Sequence, residues 1–375
     1  MDPQRVFCPN QACPARGQLG KGNIGVHSRA EQRYRCRLCG RTFVARQGTA
    51  LYRLRTAEAT VTQVVTLLAY GCPVAAVVQA FGVDERTVAA WWQRAGQQCQ
   101  AVHAQVVAAH PLDLQQVQAD ELRVRTQTGV YWMALALMVS TRLWLGGVVS
   151  AQRDGDLIAA VVAQVRQLAR CRPLLLAVDG LPTYVRAFQR AFRSRLPRQG
   201  ASGRSVLVAW PEIAIVQVVK QRLAGQLVID RRIVQGPLAQ VTALLQVSQG
   251  PGVINTAYIE RLNATFRQRL SALVRRTRAL ARHPQTTLTA GMYVVGCLYN
   301  LCAFHHSLRL KLSVGRFGHH WVHRTPALAA GLTDHRWTVA EVLRYRLPPP
   351  PWRPAPGHQG RWSKATHALV QRWTT

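Results

Sequence analysis

The sequence is poor in acidic residues and, among its basic residues, in lysine. Of its 375 residues, 16 are Asp or Glu and 48 are Lys or Arg, and only four of those 48 are Lys. The formal net charge of +32 excludes a charge-balanced surface and attracts polyanions, of which nucleic acid is the commonest long example. Arginine forms bidentate contacts with phosphate and with guanine edges. An arginine-rich coding bias is the alternative explanation for arginine over lysine, but it does not explain the sign of the charge.

Long uninterrupted apolar segments are also missing. One long uncharged run, residues 59–83, is broken by Gly71 and Pro73, and a second apolar run from Val130 ends at Arg142. Because a membrane-spanning helix needs about 20 predominantly apolar residues, we expect no membrane span and no membrane partner. The stretch MDPQRVFCPN lacks the apolar core of a signal peptide. We therefore expect an intracellular, cytoplasmic protein.

Nine cysteines are present, and in a reducing compartment they do not form a disulfide framework, so their spacing matters. Cys8 and Cys13 lie in CPNQAC, and Cys36 and Cys39 lie in CRLCG. Two such tight turns bring four thiolates to one tetrahedral zinc ion if the 22 residues between the pairs form a hairpin. We predict a structural zinc ribbon over residues 1–50, with these four cysteines as ligands. The other five cysteines are expected to be small core residues.

Residues 56–110 have a helical pattern. VTQVVTLLAYG predicts one helix, PVAAVVQAFG opens with proline and closes on glycine, and DERTVAAWWQRAGQQ predicts a third. The tight turn after the second helix is typical of a helix-turn-helix, and a plain three-helix bundle is the alternative. In a helix-turn-helix the third helix would present Arg86 and Arg94 to DNA, while Trp91 or Trp92 packs inside.

From residue 111 the pattern changes to strands. VQADELRVR, VYWMALALMV and LWLGGVVS predict three adjacent strands, and DGDLIAAVVAQVRQLARC, RPLLLAVDG and LPTYVRAFQRAFRSR predict helix, buried strand and helix. PRQGASGRS predicts a loop, and VLVAWPEIAIVQVVKQR predicts a strand pair or one interrupted strand. This order predicts an α/β fold over residues 111–310, a mixed sheet covered by helices.

The remaining segments are a helix and a C-terminal region. Residues 256–280 predict a helix whose apolar stripe packs on the sheet. The chain is expected to be irregular beyond His305 until TVAEVLRYRL, which gives a C-terminal extension over residues 311–347. PPPPWRPAP then begins a Pro-rich linker and basic tail over residues 348–375.

Three acidic residues occupy positions that favour a metal site. Asp120 lies in the first predicted strand, and Asp179 lies at the end of the buried strand LLLAVD. Groups at the ends of central strands project into one crevice of an open sheet, where two carboxylates without a cation would repel. Glu260, on the 256–280 helix, can complete the site. We predict that these three acids bind two Mg²⁺ or Mn²⁺ ions, with Glu121 as an alternative ligand.

Two further residues lie beside Glu260 on the same helix. Asn263 and Arg267 follow it at helical spacing and are predicted to hold phosphate of DNA. The neighbouring apolar stripe should face the sheet and consists of Ile259, Leu262, Phe266, Leu270 and Leu273.

With these motifs the chain resembles the DDE transposases of bacterial insertion sequences, most closely the zinc-ribbon type related to insertion sequence one. The matching features are the two cysteine pairs, the helix-turn-helix, QADEL, AVDGLPTY, IERLNATFRQRLSALVRRT and RTPALAAGLTDHRW. They cover roughly residues 5–345, and the most specific is the Glu-x-x-Asn-x-x-x-Arg helix. Cys8 and Cys13 are wider apart than is usual in this family.

The resemblance implies a ribonuclease H-like core in which Asp120, Asp179 and Glu260 bind divalent metal. It implies binding to the terminal inverted repeats of an insertion sequence, cleavage of double-stranded DNA by water, and attack of the freed 3′ hydroxyl on target DNA. A homodimer or higher assembly on DNA, associated with the bacterial nucleoid, is also expected. The alternatives are a non-catalytic DNA-binding regulator descended from such an enzyme and a metal-dependent repair nuclease.

Overall fold

The computed structural model of the chain describes residues 1–196, 205–223, 226–274, 280–314 and 318–347, together with six separate residues between 363 and 372. Residues 1–45, with the few residues described beyond 348, form one unit, and Arg46–Leu347 form another. Most of the predicted loop PRQGASGRS and most of the Pro-rich linker and basic tail lie outside the described residues.

The N-terminal unit is built on a three-stranded antiparallel sheet of β1 (Ile24–Ser28), β2 (Arg33–Cys36) and β3 (Thr42–Val44). In β2 the alternate residues Tyr34 and Cys36 are buried, which is the period of two expected for a strand with one covered face. Tyr34 pairs with Phe43 across the sheet, and the two rings stack with centroids 5.7 Å apart. β1 and β2 pair antiparallel, with Ile24 opposite Cys36, so the predicted hairpin between the two cysteine pairs is confirmed.

Three helices begin the second unit: α1 (Glu58–Ala69), α2 (Val74–Phe81) and α3 (Glu85–Val106). Gly82 ends α2 with φ +60°, a conformation that costs little only for glycine, and the Asp84 side chain caps α3 by accepting from the amide of Arg86. Of the two tryptophans, Trp91 is buried, as one of the pair was predicted to be. The third helix extends beyond the predicted Gln98 to Val106, because its second half, including Cys99 and Val102, is buried in the core.

A six-stranded mixed sheet forms the centre of this unit, with strand order β11-β10-β7-β4-β5-β6. β4, β7 and β10 run parallel, and the other pairs are antiparallel. The strands of this region are β4 (Gln116–Thr126), β5 (Gly129–Met138), β6 (Leu143–Ser150), β7 (Leu174–Asp179), β8 (Arg193–Leu196), β9 (Val206–Ala209), β10 (Ile213–Leu223) and β11 (Gln226–Gln235). The predicted mixed sheet, its first three strands and its buried strand are confirmed.

Helices cover both faces of this sheet. One face carries α4 (Gly155–Leu168) and α5 (Pro182–Ala191), and the other carries α6 (Leu238–Gln249) and α7 (Ala257–Arg269). The predicted apolar stripe is buried in full, since all five of its members are at most 7% exposed, although Leu270 and Leu273 lie beyond the end of α7. The α1–α3 helices share one hydrophobic core with the α4 and α5 face, so the predicted 56–110 and 111–310 domains are not separate cores.

Several elements differ from prediction. β11 and α6 were not predicted, and the end of the predicted helix LPTYVRAFQRAFRSR is instead β8, which pairs with β9 in a separate two-stranded sheet. The predicted 256–280 helix ends at Arg269, because Leu270 is extended, and residues 275–279 lie outside the described part. The expected irregular region beyond His305 contains a hairpin of β12 (Leu310–Val314) and β13 (Gly318–Val322).

The last helices are α8 (Pro284–Leu301), α9 (Pro326–Ala329) and α10 (Val339–Arg344). α8 packs closely on its neighbours, because a Cβ on Gly296 would lie 2.2 Å from the Trp144 ring and one on Gly96 of α3 would lie 2.4 Å from Ala290. The segment Pro284–Leu308 is long and apolar enough to cross a membrane, but 72% of its apolar 18-residue window is buried within the protein, as expected for a core helix.

Candidate functional site

The four predicted zinc ligands converge in the N-terminal unit. The Sγ atoms of Cys8, Cys13, Cys36 and Cys39 all lie within 4.8 Å of one another. Gly40 turns the chain back at φ +70°, and its amide donates to the carbonyl of Cys36. Four thiols converging from two turns match the donor set of a structural zinc site, so these cysteines can hold zinc.

The residues around the four cysteines lower the pKa of one thiol, which favours the thiolate that a metal ion binds. Burial acts to raise the pKa of Cys39, but hydrogen bonds from the Asn10 side chain and the Arg41 amide outweigh it and lower the pKa to about 6. Burial raises the pKa of Cys8 and of Cys13. Because a cation is bound by thiolates and not by thiols, metal binding would release the protons that these two buried groups retain.

Strand register places Asp120 and Asp179 side by side. β4 and β7 are parallel, and Ala119 pairs with Val178, so the next residue of each strand is one of the two aspartates. Since side chains alternate along a strand, both aspartates point to the sheet face that carries α6 and α7. The two predicted acids are thus brought together at the point where the pairing of β4 with β7 ends.

Asp120 is held in place from two directions. One carboxylate oxygen accepts from the amide of Glu121 at 2.8 Å, and the other accepts from Nδ2 of Asn263 at 2.7 Å. Burial raises the pKa of Asp120 to about 7, with further contributions from the negative charges of Glu121, Asp179 and Glu260. The carboxylates therefore crowd one another, which a bound cation would relieve.

Glu260 lines the same cavity as the two aspartates. This acidic cavity has a volume of about 430 Å³ and is bordered by Asp120, Asp179, Glu260 and Lys220. Glu260 accepts from Oγ1 of Thr256 at 2.8 Å and forms an ion pair with Lys220. All three predicted carboxylates therefore border one cavity, but Glu260 is not among the described acids whose oxygens lie within 4.8 Å of one another.

The position of Lys220 follows from strand register. Val218 of β10 pairs with Asp179, and Lys220, two residues on, points to the same sheet face. The sequence analysis did not identify Lys220 as a site residue. The one available signal was that Lys220 is the only lysine between residues 22 and 310 of the sequence.

Glu121 points to the opposite sheet face and is nevertheless near the aspartates. One carboxylate oxygen from each of Asp120, Glu121 and Asp179 lies within 4.8 Å of the other two. These three acids can therefore also hold a metal ion. Glu121 is buried, accepts from the hydroxyl of Tyr184 at 3.0 Å and forms an ion pair with Arg153. The alternative ligand named from the sequence thus belongs to the acidic cluster, and its two partners were missed because they lie 32 and 63 residues away along the chain.

The residues predicted to contact DNA have different environments. Arg86 is exposed in the first turn of α3, while the exposed Arg94 donates to the carbonyl of Tyr52 at 2.8 Å. Arg267 is half-buried on α7. Asn263 is only 2% exposed and its side-chain amide donates to Asp120, so in this structure its side chain faces a carboxylate rather than solvent. It positions a carboxylate because its helix packs against β4.

Comparison with protein-family models and with curated proteins gave no match to this chain. Among the described residues, two groups of side chains have the composition of metal sites, one of four cysteine thiols and one of clustered carboxylates on the main sheet. The first suits zinc, and the second suits a hard cation such as Mg²⁺.

Proposed function

We propose that the protein is a DNA transposase that cuts and joins DNA at the ends of its insertion sequence with a divalent metal site on a ribonuclease H-like sheet. The observation that carries the proposal is the acidic cavity, in which Asp120 and Asp179 from neighbouring strands meet Glu260 from α7. Such a cavity in a chain of net charge +32 suits a polyanionic substrate handled through cations.

The carboxylates would hold the metal ions in this proposal. When bound, two such ions supply activation of an attacking oxygen and stabilisation of the leaving oxygen of a phosphodiester. Asn263 keeps one oxygen of Asp120 fixed through its 2.7 Å hydrogen bond. Arg153 and Tyr184 hold Glu121 from the other sheet face. Lys220 balances the charge of Glu260 and can contact a phosphate oxygen once that carboxylate turns to a cation.

DNA recognition is assigned to the N-terminal modules. The four-cysteine cluster would be a zinc ribbon, and α2 with α3 would form a helix-turn-helix in which exposed Arg86 lies at the start of the recognition helix. Because the side chain of Arg94 is engaged by Tyr52, its contribution to DNA contact is expected to be smaller. The enzyme would act on the bacterial nucleoid as a homodimer or higher assembly.

The test is a cleavage and joining assay with the full chain. The substrate is labelled DNA carrying the inverted repeats that flank the gene, incubated with Mg²⁺ and a target plasmid. Wild type should give nicked ends and joined products, and Asp179→Asn should reduce both by at least ~10³-fold, because one metal ligand is lost. Asn keeps the acceptor for the amide of Leu181, so the variant should fold.

The matched control is Asp156→Asn, which removes an exposed carboxylate in the first turn of α4. It should retain full activity. Joined products from Asp179→Asn would refute the assignment of the acidic cavity, and cleavage without joining by wild type would favour a repair nuclease.

A non-catalytic DNA-binding regulator is the second candidate. It is favoured by one observation, the ion pair of Glu260 with Lys220, which balances this carboxylate without a metal ion. A regulator would bind the inverted repeats with the same affinity in wild type and Asp179→Asn, and neither would cleave DNA in Mg²⁺.

A further inference from the structure

A second cavity borders α7 on the side away from the acidic cavity. It has a volume of about 510 Å³, and we name it the arginine cavity after Arg142, Arg261 and Arg269, which line it. The α7 residues that line it lie on one side of the helix and are Tyr258, Arg261, Leu262, Thr265 and Arg269. At ~100° per residue this stripe lies roughly half a turn around the helix from Glu260. One helix therefore separates a cavity of acids from a cavity of bases.

The cations of the arginine cavity have no acidic partners. None of its described lining residues is a carboxylate, and Arg142, Arg261 and Arg269 form no ion pair with any residue of the described chain. Nη1 of Arg269 is buried without a hydrogen-bond partner. Burial, opposed by the nearby Tyr258 and Tyr299, lowers the pKa of Arg142. Partly buried cations without counter-charges are costly, and a bound anion would offset that cost.

Aromatic rings form other parts of the wall. The guanidinium of Arg142 lies 4.0 Å from the centroid of the Tyr258 ring. Phe304 is 46% exposed at the same cavity, and its ring has the Arg336 guanidinium at 4.5 Å and the His323 ring at 5.4 Å. Burial lowers the pKa of His305 to about 4, with a further contribution from Arg142, so this ring is neutral at pH 7. Exposed rings beside arginines are the surfaces on which bases of unpaired nucleic acid stack.

We infer that the arginine cavity binds one unpaired nucleotide of a DNA strand, with its phosphate on the arginines and its base against the exposed ring of Phe304. The volume suits a single nucleotide rather than a duplex, since pockets for small ligands measure roughly 300–1,000 Å³. From the proposed function the inference takes only that the polyanion bound by this chain is DNA. No metal or catalysis enters it.

The test compares two labelled DNAs by fluorescence anisotropy with the full chain in a buffer that contains neither Mg²⁺ nor a chelator. One is a blunt duplex, and the other is the same duplex with a three-nucleotide single-stranded tail. Wild type should bind the tailed DNA roughly tenfold more tightly, and Arg261→Gln should bind both equally, because one charged contact is worth about that factor. Arg261 is exposed, so this variant should fold.

Arg190→Gln is the matched control, since it removes one exposed arginine from α5 on the other sheet face. It should keep the tenfold preference. The inference is overturned if wild type shows no preference, if Arg261→Gln keeps it, or if a free deoxynucleoside monophosphate binds in an Arg261-dependent manner while the tail has no effect. A chain that binds neither DNA contradicts the proposed function instead.

Discussion

Burial changes the pKa of single residues in this chain, and His103 is the clearest case outside the acidic cavity. It lies in the core of α3, where its Nε2 donates to the carbonyl of Leu145 at 3.1 Å and its ring lies 4.6 Å from the Trp144 ring. Burial lowers the pKa of His103 from 6.5 to about 4. The folded protein therefore holds this ring neutral, while the unfolded chain protonates it near pH 6.5.

This difference predicts acid sensitivity of the fold. Between pH 6.5 and pH 4 the unfolded chain binds the proton and the folded chain does not, so stability present above pH 6.5 is lost as pH falls. The loss attributable to His103 is up to ~3 kcal/mol. It is measured as the difference in thermal stability between wild type and His103→Leu across this window. His110→Leu, at an exposed histidine, should follow wild type; parallel curves for all three proteins would contradict the prediction.

The ion pair of Lys220 with Glu260 leads to a second prediction at this scale. Lys220→Gln should strengthen Mg²⁺ binding, because Glu260 no longer has a competing cation. Partly exposed ion pairs are worth about 0–1 kcal/mol, so the gain should be at most about fivefold. Isothermal titration with Mg²⁺ measures it, with Glu260→Gln expected to weaken binding. Weaker binding by Lys220→Gln would mean that the lysine supports the metal site rather than competing with it.

Some residues of the acidic cavity could be placed from the sequence, and their contact partners could not. Asp179 could be placed because a buried apolar run ends on it, and Glu260 because it stands beside an apolar stripe of helical period. The partners Lys220, Tyr184 and Asn263 depend on strand register and on how α7 is rotated, and neither is written in local sequence. The exposed β11 was missed because its side chains lack the buried alternation that marks a strand.

At the scale of elements, the N-terminal sheet depends on its thiols. Its core is a cluster of seven buried residues, four of which are not cysteines, so it is small. If zinc is bound, its removal should unfold residues 5–45 because the binding energy is also folding energy. The main sheet has its own core and should be little affected.

This prediction is checked by circular dichroism and DNA binding after chelation, and with Cys36→Ser. Affinity for the inverted repeats should fall while thermal unfolding of the main unit is unchanged. Cys171→Ser, which replaces an exposed cysteine outside the cluster, is the control. Unchanged DNA affinity of Cys36→Ser would exclude a role of the cluster in recognition.

At the scale of the whole molecule, helices and sheet in Arg46–Leu347 share one hydrophobic core. Residues of α1 and α3 lie in the same cluster as β4, α4, α8 and α10. The order of most elements could be predicted from the sequence. A domain boundary was also predicted at residue 111, because the pattern changes there from helical to strand. Packing between α3 and α8 makes that boundary internal, with Gly96 against Ala290.

A truncation follows from the shared core. A fragment of residues 111–347 should not fold. Removal of α1–α3 would expose the apolar side chains of α8 and β6 that these helices cover. A fragment of residues 46–347 should give a cooperative thermal transition by circular dichroism. A cooperative transition of the shorter fragment at the same temperature would show that the α1–α3 helices are an independent domain.

The placement of α7 between two cavities affects how variants of this helix are interpreted. Glu260 and Arg261 are neighbours in the sequence, yet they border different cavities. A substitution that unwinds α7 would disturb both walls at once, so loss of both properties in one variant would indicate damage to the helix rather than two separate functions.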